Sequence, residues 1–307
     1  MAYFDKLLVG LNLTTQDAAP LRYTVYLNTL GLAKEIHFVH AFEMGEEREE
    51  IASVDSVFRA DRGPRPVTVT MAQEQIIERG RDHFGTHPGP VSAYIVEKGP
   101  PLDVLLRVAL RRNVDLVIMG RKDDRSNSNL LTEKMIRKAP CSVLIIPKET
   151  QPTIKNVLVP VDFSEHSRAA LDVAVAVAKA SGLRDVKVLY VYPALAEHPY
   201  KASMSFEEYV LIMKQYAEKR IETFLARQEL QGLNVTSLLI AGNNRPCDAI
   251  AQTIWMQEVD LIVMGTRGRT ASTALLLDSV TEQLIWKTEV PLLAVKRKGS
   301  NTRPLDF

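Results

Sequence analysis

Apolar residues occur in short unbroken runs separated by longer stretches of helical spacing. Val157 to Val161 reads "VLVPV", apolar throughout. Behind it Ala170, Leu171, Ala174, Val175 and Ala178 recur at the intervals of one helix stripe, and Ser164 can cap that helix. "DVKVLYVY", from Asp185 to Tyr192, predicts the next strand. Ser205 and Glu208 then have capping-box spacing at the head of a long helix through "FEEYVLIMKQYAEKRIETFLARQEL". "VTSLLI", a helix from about Cys247 to Gln257, "DLIVMG", a helix from about Leu275 to Lys287, and "PLLAVK" complete the order. Alternating strands and helices, with strands apolar on both faces, predict a doubly wound α/β fold with a covered parallel sheet.

The pattern occurs twice. "VDLVIMGRK", ending at Lys122, returns as "VDLIVMGTR", ending at Arg267, so Asp115, Met119 and Gly120 map onto Asp260, Met264 and Gly265 (265 − 120 = 145). "KLLVGLN" from Lys6 parallels "NVLVPVD" from Asn156 (156 − 6 = 150), and Thr132, Glu133 and Ile136 parallel Thr281, Glu282 and Ile285 (281 − 132 = 149). Displacements that change only between blocks are the mark of loop insertions in a duplicated domain. The polar stretch "KETQPT" from Lys148 to Thr153 suits a connector, which predicts domains at 1–150 and 151–307.

Composition narrows the function. With 46% hydrophobic and 24% charged residues, the 307-residue chain has the make-up of a globular protein. Its formal charge of +1 gives no field to gather nucleic acid or anionic lipid. Cys141 and Cys247 form no CxxC, and no apolar run reaches the roughly 18 residues of a membrane helix, so a reduced, cytoplasmic setting is expected. His83 and His87 have helical metal-ligand spacing, but Gly85 between them and Pro88 after them mark a helix end, and no third ligand is evident. His40 and His166 are expected in ordinary polar or packing roles.

The chemistry concentrates after the fourth strand of each copy. In doubly wound sheets ligands lie beyond the carboxyl ends of the strands. There Gly265 and Gly268 would let backbone N–H groups approach phosphate oxygens, Arg267, Arg269, Thr270, Ser272 and Thr273 add donors, and Ser279 enters the next helix at its positive end. Asp162, after the first strand, could accept hydrogen bonds from a ribose. A surface loop with a helix cap would account for the two glycines equally well.

These motifs, Gly265-x-x-Gly268, nine residues, then Asp278-Ser279, resemble the nucleotide-binding branch of the universal stress proteins, and the resemblance extends over nearly all of both halves. It implies two tandem Rossmann-like, adenine nucleotide alpha hydrolase-like domains. It also implies that Pro160, Asp162 and Val191 line the adenine and ribose side, while Met264, Gly265, Thr266, Gly268, Ser279 and Val280 hold the phosphates of ATP or a related adenine nucleotide, with Mg²⁺ possible. Asp278 stands where the family has Gly, and its carboxylate opposes a polyphosphate unless Arg267, Arg269 or the cation offsets it. The first half departs further: Asn12 replaces Asp162, Asp123 replaces Gly268, and Asn129 and Leu130 replace the closing pair, which predicts loss of phosphate binding there. By the same resemblance Val143 to Ile146 would lie antiparallel to Leu292 to Val295, an intramolecular pseudo-dimer that hides two sheet edges.

Three functions follow. The first is a non-enzymatic stress-response regulator or sensor that binds nucleotide in its second half and signals through a protein partner. The second is a nucleotide-free scaffold or binder of another small molecule. The third is a weak nucleotide hydrolase, against which stand the absence of a Walker lysine, a clear base beside Ser279 or a pair of metal carboxylates.

Overall fold

The computed structural model describes residues 4–42, 68–85, 90–121, 127–193, 205–242, 246–266 and 279–296. The first half runs β1 (Lys6–Leu11), α1 (Ala18–Thr29), β2 (Glu35–Phe42), α2 (Val69–Phe84), β3 (Val91–Lys98), α3 (Pro101–Arg111), β4 (Leu116–Arg121), α4 (Asn127–Lys138) and β5 (Ser142–Pro147). The second repeats it as β6 (Val157–Pro160), α5 (Glu165–Ala180), β7 (Asp185–Pro193), α6 (Phe206–Leu225), β8 (Asn234–Gly242), α7 (Pro246–Met256), β9 (Leu261–Gly265), α8 (Ser279–Lys287) and β10 (Leu292–Val295).

The local signals act as expected. Ser164 accepts from the Ser167 amide at the head of α5, and Ser205 and Glu208 close a complete capping box on α6. Each of the five predicted stripe residues of α5 is buried. In α2 the chain leaves the helix at Gly85, whose φ of 75° lies in the left-handed region, and His83 Nδ1 donates to the Arg79 carbonyl; His87 lies outside the described residues.

All ten strands form one sheet in the order β3-β2-β1-β4-β5-β10-β9-β6-β7-β8. Within each half every pairing is parallel, and the strand order reverses between β1 and β4 and again between β6 and β9. One face is covered by α1, α2, α5 and α6, the other by α3, α4, α7 and α8. Both layers continue across the two halves.

The halves join where β5 and β10 run antiparallel, with Leu144 opposite Leu293. Since 293 − 144 = 149, these two leucines are equivalent positions, and the pseudo-twofold axis passes between them. Other contacts obey the same axis: Arg137 donates to Glu282, and the Trp286 indole donates to Glu133 at 2.7 Å. Arg121, buried at the end of β4, donates to the carbonyls of Ile285 and Thr288 at the end of α8, and Lys296 Nζ donates to those of Arg137 and Ala139 at the end of α4. Each half thus supplies a cation to the negative end of a helix in the other. The connector packs back on α1, where the Ile154 amide donates to the Tyr26 hydroxyl at 3.2 Å.

Candidate functional site

The carboxyl ends of β6, β7 and β9 gather most of the residues singled out in the second half. Pro160 ends β6, Val191 lies near the end of β7, and Met264 and Gly265 end β9. Asp162 follows β6 with Oδ1 accepting from the Ser164 amide at 3.0 Å, a local turn bond that fixes the carboxylate at the head of α5. Thr266 is buried, its amide donating to the Val295 carbonyl at 3.3 Å. Ser279 opens α8 and Val280 packs on the core beneath it. Gly268, Arg267, Arg269, Thr270, Ser272, Thr273 and Asp278 lie outside the described residues. The ends of the segment that carries them are fastened together, because the buried Thr281 hydroxyl donates to the Gly265 carbonyl at 3.5 Å.

The sheet opens at this point. β1 and β4 stay paired from Leu7↔Leu116 to Gly10↔Met119, whereas β6 and β9 pair only at Val157↔Leu261 and Leu158↔Ile262. Pro160 occupies the position of Gly10 and has no N–H to continue the ladder. The second half therefore parts its strands two residues earlier, at the switch point where such sheets take ligands.

Gly265 has a second role that its motif did not reveal. A Cβ there would lie 2.8 Å from the carbonyl carbon and Cβ of His166, so the strand end can approach the first turn of α5 only without a side chain. At the equivalent Gly120 the nearest atoms to such a Cβ are 3.6 Å away, an ordinary contact. The use of one glycine for packing was invisible in sequence because His166 is 99 positions away (265 − 166).

The matching turn of the first half is tied shut. Asn12, in place of Asp162, accepts from the amide and hydroxyl of Thr14 and donates to Gln16 Oε1. Asp17, 3% exposed, accepts from the Asn12 amide and from Arg79 Nη1 at 2.9 Å, and Arg79 also donates to the carbonyls of Leu13 and Thr14. Burial pushes the Asp17 carboxyl up to about 6 against the opposing pull of the backbone amide and Arg79. Sequence reasoning missed this pair, since nothing in the spacing links positions 17 and 79.

Cys141 and Cys247 are buried, and burial raises the Cys247 thiol. His40 is buried with Nδ1 donating to the Leu11 carbonyl at 3.0 Å, a bond between adjacent strands. Among the described residues no group of three or more His, Cys, Asp and Glu is placed to hold a metal, and no helix is long and apolar enough to cross a membrane.

Two tandem doubly wound domains sharing one sheet define the class of this protein. The model of the Universal stress protein family matches twice, over residues 4–147 and 153–296, and the chain belongs to that family. It is 34% identical over 143 residues to a universal stress protein of Thermus aquaticus, a match covering 46% of this chain and 98% of the relative. With a universal stress protein of Methanocaldococcus jannaschii it shares 31% identity over 163 residues, covering 48% of this chain and 97% of the relative. Among solved structures, a universal stress protein from Archaeoglobus fulgidus superposes with a TM-score of 0.61 at 18% identity, covering 97% of this chain and 99% of that one. A functionally unknown Pseudomonas aeruginosa protein gives 0.62 at 16% identity, covering 97% and 94%. These two likenesses carry the fold alone.

Proposed function

We propose that the second half binds ATP or a related adenine nucleotide and that the protein acts as a non-enzymatic stress-response regulator through a protein partner in the cytoplasm. The observation that carries this reading is the early parting of β6 and β9 beside Asp162, Gly265 and the first turn of α8. The residues fit the ligand: Pro160, Asp162 and Val191 would face adenine and ribose, and Met264, Gly265, Thr266, Gly268, Ser279 and Val280 the phosphates, where a helix N-terminus favours negative charge. Mg²⁺ would offset Asp278. The sequence supplies donors after β9 but no clear base beside Ser279, which favours binding over hydrolysis.

Titration calorimetry of nucleotide-stripped protein with Mg-ATP tests this. Saturable binding abolished by Gly268→Glu is expected, and Asp278→Gly should tighten binding about tenfold, near 1.4 kcal/mol. No heat from the unaltered protein at millimolar Mg-ATP would reject the nucleotide and favour a scaffold or a binder of another small molecule.

A further inference from the structure

The equivalent arginines of the two halves have opposite fates. Arg79 of α2 and Arg220 of α6 correspond (220 − 79 = 141), as do the buried inward positions beside them, Ile76 with Ala217 and Gly80 with Ile221 at the same displacement. In the first half the carboxylate of Asp17 neutralises the guanidinium. The counterpart of Asp17 is Ser167 (167 − 17 = 150), a buried hydroxyl that donates to the Ser164 carbonyl. Among the described residues Arg220 has no carboxylate partner.

It turns instead over aromatic rings. Its guanidinium carbon sits 4.4 Å from the centre of Phe163 and 5.7 Å from those of Tyr190 and Tyr216, and Nη1 donates to the Tyr190 hydroxyl at 3.3 Å. Phe163 in turn packs against Phe224. Phe163, Tyr216 and Phe224 line a cavity of about 320 Å³ that, besides Arg220, also receives Arg168, Lys219 and Arg227. Among the described residues only Arg168 of the four cations meets a carboxylate, Glu165 at 3.3 Å, and its buried Nε has no hydrogen-bond partner. Cations and rings converging on one open cavity attract an anion that also offers a flat apolar face. The volume is at the lower end of the range for small-molecule sites.

The cavity lies on the other side of the sheet from two residues of the proposed nucleotide site. Tyr190 and Phe224 belong to the core layer of α5 and α6, whereas Val191 and Met264 pack on the opposite face of the sheet. Phe163 turns to this side through a φ of 66°, a conformation repeated at its counterpart Leu13.

We infer that the cavity between α5 and α6 is a second ligand site, one that takes a small aromatic anion whose phosphate or carboxylate pairs with Arg220, which meets no carboxylate among the described residues. The full chain is titrated by calorimetry with phenyl phosphate, benzoate, phenol and inorganic phosphate. One-to-one saturable binding of an aromatic anion is expected, at least tenfold tighter than phenol or inorganic phosphate, and the stronger of phenyl phosphate and benzoate identifies the head group. Arg220→Gln, and separately Ser167→Asp, which returns the carboxylate of the first half, should each weaken it at least tenfold with an unchanged circular dichroism spectrum. Gly268→Glu should leave it intact. No saturable binding of either aromatic anion, undiminished binding in Arg220→Gln, or loss of binding in Gly268→Glu would overturn the assignment.

Discussion

After the first strand of each half the chain makes the same turn, with Leu13 at φ 59° and Phe163 at φ 66°, yet the turns have different surroundings. In the first, Asp17, Arg79 and the carbonyls of Leu13 and Thr14 form a closed charge-assisted cluster, and the adjoining strands stay paired to Gly10↔Met119. In the second, the carboxylate is a serine, the arginine packs over Phe163 and Tyr190, and the strands part after Leu158↔Ile262. The same left-handed turn is thus closed by an ion pair in one half and packed under an arginine over aromatic rings in the other. A few side chains decide which, and each can be exchanged.

The largest expected effect comes from that arginine. Arg79→Ala strands the buried Asp17 carboxylate and should cost about 3–4 kcal/mol in urea unfolding, whereas Arg220→Ala, whose guanidinium is half-exposed and has no ion partner among the described residues, should cost less than about 1 kcal/mol. Equal losses would erase the distinction between the halves. Next is the pH dependence of Asp17. Its carboxyl is raised from 3.8 to about 6 in the folded protein, so folding favours the protonated form. Its contribution is present below pH 4 and fades as pH rises through 6, by about 3 kcal/mol. Asp17→Asn should remove that decline from the stability profile, measured as the difference from the unaltered protein between pH 4 and 6.5.

A smaller contrast separates the two glycines. Gly265→Ala forces a methyl onto the His166 backbone and should cost about 2 kcal/mol, against less than about 0.5 kcal/mol for Gly120→Ala, both read from denaturation midpoints. Smallest is the pair of outward residues at equivalent places on α3 and α7 (255 − 110 = 145). Leu110, 46% exposed, should cost about 1 kcal/mol on change to Ala, and Trp255, 82% exposed, within about 0.5 kcal/mol.

What could be read in sequence was whatever depends on near neighbours. The apolar runs marked the strands, the stripe of α5 marked its buried face, and Ser164, Ser205 and Glu208 marked helix starts, because caps and periodicity act over three or four residues. The duplication made the element order of one half a check on the other. The predicted helix through Lys287 is described from Ser279, its earlier part from Leu275 lying outside the described residues. Illegible were the partners chosen across tens of residues: Asp17 with Arg79, Gly265 with His166, Arg121 with the end of α8. Such pairs depend on how helices sit on the sheet, which a single chain pattern does not encode. Of the proposed crevice, Pro160 and Asp162 stood out in the sequence, but the early parting of β6 from β9 did not.

The antiparallel seam through Leu144 and Leu293 has a further consequence. An assembly of two identical chains must accept every substitution twice, once on each side of its axis, and dissolves on dilution. Here the two sides are encoded separately and held at a fixed mutual concentration by six connecting residues, Lys148 to Thr153. One side is free to change its turn into a closed cluster while its sibling does not, and neither change has to be made twice.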